Sequence, residues 1–129
     1  MDNKQQVIVK SILIIEDDPM LQKMYKTKFE SEGFLVWTAS DGETGLNMAL
    51  AQRPSIVLLD IMMPKLSGMD MLIKLRADLT GKTIPVVMLT NLSQQEEVDL
   101  AMQLGVKEYL VKANNTPGEV VEKVKKHIQ

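Results

Sequence analysis

The chain predicts an α/β fold built on one parallel sheet. Short apolar runs alternate with amphipathic stretches, five of each in strict succession. Four of the runs deliver a polar residue at their C-terminal end. Ile12–Ile15 runs into Glu16-Asp17-Asp18, and Ile56–Leu59 into Asp60. Val86–Leu89 ends on Thr90, and Tyr109–Val111 on Lys112. In open parallel sheets those ends are where ligands bind.

The first strand is expected from Ile8 to Ile15. Asp18 reads as an N-cap with Pro19 at the first helical position. Leu21, Met24, Tyr25 and Phe29 recur at helical spacing through about Glu32, and Gly33 is a natural stop. A second strand is expected over Phe34 to Thr38. Ser40-Asp41-Gly42 makes a turn before a helix with Leu46, Ala49 and Leu50 on one face, ended by Pro54. The third strand is Ser55 to Leu59. A loop with Pro64 and Gly68 leads into a helix carrying Met69, Leu72, Leu75 and Leu79.

Gly81 and Pro85 precede the fourth strand. Ser93-Gln94-Gln95-Glu96 reads as a capping box for a helix whose inner stripe is Val98, Ala101, Met102 and Leu104. Gly105 ends it. The fifth strand is Glu108 to Val111. Thr116-Pro117-Gly118-Glu119 is a second capping box, opening a helix with Val120, Val121, Val124 and Ile128.

At 129 residues, the expectation is one domain over residues 1–129, with Met1 to Gln6 a frayed polar tail. The chain is 45% apolar and 25% charged with a formal charge of −2, which gives no case for direct nucleic-acid binding. Zero cysteines exclude disulfides and thiolate metal sites and fit a cytoplasmic setting. No apolar stretch approaches a membrane span, and no signal peptide is evident.

Right-handed crossovers place all five strand ends on one edge. With the first and third strands adjacent, Glu16, Asp17 and Asp60 converge. Such clustered carboxylates raise each other's pKa, and a divalent cation resolves the conflict. All-oxygen ligands argue for Mg²⁺ before Ca²⁺ or Zn²⁺. With Lys112 and Thr90 arriving from neighbouring strands, the set looks arranged for a phosphoryl group, with Asp60 as nucleophile.

Together, Ile-Ile-Glu16-Asp17-Asp18, Leu-Leu-Asp60-Ile-Met-Met-Pro64…Gly68, Leu89-Thr90 and Tyr109-Leu-Val-Lys112 resemble the receiver domain of two-component response regulators, of the single-domain, chemotaxis-regulator-like kind. The resemblance spans about Ser11 to Ile128. It implies a flavodoxin-like sheet of order 2-1-3-4-5 with helices on both faces. It implies that Asp60 accepts a phosphoryl group from a histidine kinase or histidine phosphotransfer protein. Glu16, Asp17, Asp60 and the Met62 carbonyl would hold Mg²⁺, Glu16 through water. Lys112 would contact the phosphoryl group, with Thr90 and Tyr109 as switch residues. The downstream protein target would bind the face of the fourth helix, fifth strand and fifth helix. Such a domain is no enzyme beyond its own phosphorylation and dephosphorylation.

Two residues depart from the family's pattern. Ala113 follows Lys112 where proline is usual, so a trans Lys112–Ala113 bond is expected. Asn91 follows Thr90 where Ala or Gly is usual, and its amide can reach the phosphoryl pocket. Met62 and Leu92 cannot orient an attacking water, so a phosphoryl group lasting minutes or more is expected.

Blander readings stand beside these. Asp18 is a helix cap, and the ten methionines are core filler. His127 in the last helical turn favours the helix dipole. Lys123, Lys125 and Lys126 form a solvated face, and Tyr109 is open to being a static aromatic. The competing functions are a pseudo-receiver scaffold, a small-molecule Mg²⁺-dependent phosphatase and a flavin-binding protein. The phosphatase normally needs an acid/base Asp where Met62 stands. Glu16-Asp17-Asp18 would repel a flavin phosphate.

Overall fold

The structure is a computed structural model, describing residues 9–128. The expected tail Met1–Gln6 and strand residue Ile8 lie outside that range.

Five strands form one parallel sheet: β1 (Ser11–Ile15), β2 (Leu35–Ala39), β3 (Ile56–Leu59), β4 (Val86–Thr90) and β5 (Glu108–Val111). Their order is β2-β1-β3-β4-β5, as the resemblance implies. Five helices alternate with them: α1 (Pro19–Ser31), α2 (Gly42–Gln52), α3 (Gly68–Ala77), α4 (Gln95–Gln103) and α5 (Pro117–Lys125). Single 3-10 turns lie at Gly81–Thr83 and Lys112–Asn114.

The central strands are buried on both sides, so they read as unbroken apolar runs. Alternate residues still serve different faces. Leu13, Ile15, Val57, Leu59, Val86 and Met88 join the core shared with α2, α3 and Ala101 of α4. Ile12, Ile14, Ile56, Leu58, Val87 and Leu89 join the core with Tyr25 and Phe29 of α1 and the valines of α5. The register pairs Ile15 with Leu59, so Glu16 and Asp60 leave adjacent strands side by side.

Several boundaries differ from the sequence reading. Phe34 precedes β2: its N–H closes the end of α1 on the Phe29 carbonyl (3.1 Å), and its ring packs edge-on against Phe29. Ser55 precedes β3, because it exchanges hydrogen bonds with Ser11. Each backbone N–H donates to the other's hydroxyl at 3.0 Å. Leu79 lies beyond α3 and is exposed. There the Asp78 carboxylate accepts from Thr80 and Gly81 N–H and turns the chain.

The Ser93–Glu96 capping box does not form. Gln94 is the N-cap of α4, without a side-chain bond, and Glu96 stands in the wrong place to reach back. Met102 points to solvent rather than into the inner stripe. The Thr116–Glu119 box does form. His127 lies past the end of α5, not in its last turn. Its Nε2 is 2.9 Å from Glu108 Oε1.

Candidate functional site

The site occupies the carboxyl edge of β1, β3, β4 and β5. Asp18 caps α1, accepting from Met20 and Leu21 N–H (2.9 and 3.3 Å), as expected. That turn sends Glu16 inward, where it is buried, and leaves Asp17 exposed. Asp60 follows β3 and is also buried. Each of Glu16, Asp17 and Asp60 offers a carboxylate oxygen within 4.8 Å of the others. The donor set is all oxygen, which fits a hard cation.

Lys112 reaches across from β5. Its ammonium donates to Glu16 Oε1 at 2.6 Å and to Asp60 Oδ2 at 2.9 Å. Burial pushes the Glu16 carboxyl above the usual carboxylate range, and the Lys112 hydrogen bond only partly opposes it. Burial alone would pull the Lys112 ammonium down. Its bonds to Glu16 and Asp60, with their charges, outweigh burial and hold it above an ordinary lysine.

The remaining site residues are ordered around this triad. Met62 donates its N–H to Asp60 Oδ1 (3.3 Å) and leaves its side chain exposed. Thr90 is fully buried, and its hydroxyl accepts from Leu92 N–H at 3.3 Å. Tyr109 is half-buried, and its hydroxyl donates to the Leu92 carbonyl at 2.6 Å. Burial, then the charges of Glu97 and Asp60, push the Tyr109 phenol up. Asn91 faces the loop that follows β5. Its Oδ1 accepts from Ala113 N–H at 3.1 Å. The Lys112–Ala113 bond is trans, and no cis peptide occurs among the described residues.

Two contributors escaped the sequence reading. Gln22 of α1 donates through Nε2 to the carbonyls of Glu16 (2.9 Å) and Ala39 (3.1 Å) and to Ser40 Oγ (3.2 Å). It braces the acidic loop against the β2–α2 turn. The only signal was a polar residue one turn past the helix start. Gly68 was noted as punctuation, but its role is steric. A Cβ there would meet the Asp60 carbonyl oxygen at 1.9 Å, so only glycine lets the loop close beneath Asp60.

The parallel sheet, the carboxylate cluster and the bridging lysine at its carboxyl edge together form the arrangement that the sequence resemblance implies. Residues 12–125 match the response regulator receiver domain, and the chain belongs to that family. It is 35% identical over 118 residues to the DNA-binding response regulator MtrA of Mycolicibacterium smegmatis, covering 92% of this chain and 50% of MtrA. It superposes on the N-terminal domain of an uncharacterized protein (WS1339) from Wolinella succinogenes with a TM-score of 0.82, at 32% identity, covering 93% of this chain and 94% of the other. The receiver domain of the sensor histidine kinase PA1611 from Pseudomonas aeruginosa gives a TM-score of 0.82 at 27% identity, covering 94% and 98%. Its crystal structure has a magnesium ion coordinated in the active site cleft. The chain spans about half the length of MtrA and of the regulator PhoP of Bacillus subtilis. Among the described residues no helix is long and apolar enough to cross a membrane.

Proposed function

We propose that this chain is a phosphorylation-dependent signalling receiver in which Asp60 accepts a phosphoryl group from a phosphohistidine donor, a histidine kinase or a histidine phosphotransfer protein. The observation that carries this is the Lys112 ammonium bridging two buried carboxylates at 2.6 and 2.9 Å. A catalytic base or a flavin site has no use for that arrangement. An acyl phosphate does, because it adds anionic oxygens where a cation already waits.

In the transfer, an Asp60 carboxylate oxygen attacks phosphorus. The P–N bond to the donor imidazole breaks, and the electron pair leaves on that nitrogen, which takes up a proton. Lys112 then pairs with a phosphoryl oxygen in place of a free Asp60 oxygen. The Thr90 hydroxyl turns from Leu92 N–H to donate to another. Glu16, Asp17, Asp60 and the Met62 carbonyl would hold Mg²⁺, which supplies neutralisation of the phosphoryl charge when bound. As Thr90 moves, the Leu92 segment and Tyr109 move with it. This biases the face formed by α4, β5 and α5, where a downstream protein binds.

The reading includes a cytoplasmic module, residues 1–129 forming one receiver domain that makes no direct nucleic-acid or membrane contact of its own. DNA binding is named for MtrA, and a receiver of this kind serves a single-domain regulator or a longer one equally well. The test is incubation with Mg²⁺ and acetyl phosphate, followed by the intact mass. The protein should gain one phosphoryl group, and Asp60→Asn should gain none. No gain in the unsubstituted protein would turn the reading toward a phosphorylation-independent scaffold.

A further inference from the structure

The two departures from the family's pattern meet in space. Asn91 Oδ1 accepts from Ala113 N–H at 3.1 Å. A proline at position 113 would have no N–H to give, and an alanine or glycine at position 91 would have no acceptor. Each residue directly follows a site residue, Asn91 after Thr90 and Ala113 after Lys112.

The bond joins two pieces that are each fastened locally. On one side, Leu92 is held at both ends of its backbone, by the Thr90 hydroxyl at 3.3 Å and the Tyr109 hydroxyl at 2.6 Å. On the other, Asn115 donates to the Val111 carbonyl (2.9 Å) and accepts from Lys123 (2.6 Å). Asn91, Lys112 and Ala113 together line a groove of about 270 Å³ that α1 closes with Leu21, Met24 and Tyr25.

We propose that Asn91 is a positioning residue: its side-chain amide latches the Thr90 loop to the Lys112 loop and so limits the approach of water to a phosphorylated Asp60. The proposal rests on Asp60 being the acceptor. The latch touches none of Glu16, Asp17 or Asp60, so it acts on the lifetime of the phosphoryl group and not on the affinity for metal. Releasing it lets the two loops part at the solvent end while their inner anchors stay. Hydrolysis of the acyl phosphate consumes one water and returns Asp60 and inorganic phosphate, and it speeds up as the loops part.

The experiment uses the full chain, phosphorylated with acetyl phosphate and freed of the donor, with loss of the phosphoryl group followed by intact mass. Asn91→Ala should shorten the half-life at least threefold. Ala113→Pro, which removes the donor, should shorten it similarly, and the double variant no further, because both changes break one bond. The Mg²⁺ titration midpoint should stay unchanged. Backbone amide exchange at Ala113 in the unphosphorylated protein should quicken in Asn91→Ala. If Ala113→Pro does not fold, Asn91→Ala and the Ala113 amide still decide.

An unchanged half-life in Asn91→Ala, additive effects in the double variant, or a shifted metal midpoint would overturn the proposal. Failure of the unsubstituted protein to take up any phosphoryl group would overturn the Asp60 reading and this proposal with it. An unchanged half-life overturns this proposal alone.

Discussion

Two half-buried cations sit at opposite ends of the sheet, and their partners differ in kind. Arg76 lies at the end of α3, beneath the amino edge. Its Nε donates to the Leu104 carbonyl (2.7 Å) and its Nη1 to those of Gly81 (3.0 Å) and Ile84 (2.8 Å). Lys112 lies at the carboxyl edge between two carboxylates. Burial pulls the Arg76 guanidinium down with nothing to offset it, whereas at Lys112 the carboxylates overturn the same burial. Arg76 ties together three backbone segments through their carbonyls. Lys112 is held by carboxylates that a metal ion can claim, and its ammonium can turn to another anionic oxygen. A planar fork on carbonyls makes a fixed strut, and a point charge on carboxylates makes an exchangeable one.

The largest effect expected from that contrast is at Arg76. Arg76→Met leaves three carbonyls short of a charged donor and should cost about 3 kcal/mol in urea unfolding. Phosphoryl uptake by the folded fraction should be unaffected. A variant of full stability that no longer takes up the group would break the distinction between strut and site.

Lys112→Met should cost a similar amount, about 3 kcal/mol at neutral pH, by leaving Glu16 and Asp60 unpaired. This loss should be recovered in two ways closed to Arg76→Met. Millimolar Mg²⁺ should restore stability by binding only the folded cluster. Lower pH should also restore it. The Glu16 carboxyl, already raised from 4.5 by burial, loses the hydrogen bond that opposed the rise. A raised carboxyl holds its proton more tightly folded than unfolded. Its contribution is full below the unfolded value and is lost as pH climbs through the folded one, so the variant should gain stability from neutrality down to about pH 5. Equal pH and Mg²⁺ responses in the two variants would remove the contrast. Phosphoryl uptake by Lys112→Met should fall at least tenfold.

The carboxyl edge was legible in the sequence because buried strands that end in a polar or charged side chain are costly without a purpose. Asp60, Glu16, Lys112 and Thr90 declared themselves in that way, and the alternation of elements gave the layers. The amino edge was not legible. Arg76 looked like any cation on a helix, because its partners are carbonyls that every residue carries. Gln22 was hidden for the same reason. Helix starts divided along similar lines. Thr116 and Glu119 satisfy each other through local geometry alone. The Ser93 box failed because the chain enters α4 one residue late, with Gln94 as its N-cap. The role of Asn91 required knowing that two loops distant in sequence face each other, which no local pattern encodes.

The smallest expected effects compare one neutral hydrogen bond from each edge. Ser55→Ala removes the hydroxyl that serves Ser11 at the start of β1 and β3. Tyr109→Phe removes the donor to the Leu92 carbonyl behind Thr90. Each should cost about 1 kcal/mol, so stability alone does not tell them apart. Their effects on chemistry should differ, because Ser11 and Ser55 lie a full strand length from Asp60 while Leu92 is shared by Tyr109 and Thr90. Tyr109→Phe frees the Leu92 peptide at one end, so Thr90 can leave it more readily, and the rate of phosphoryl uptake from acetyl phosphate should change at least twofold. Ser55→Ala should leave that rate within error of the unsubstituted protein. A rate change of equal size in both variants would mean that strand-end packing governs the site as a whole, and that Leu92 carries no particular link between Thr90 and Tyr109.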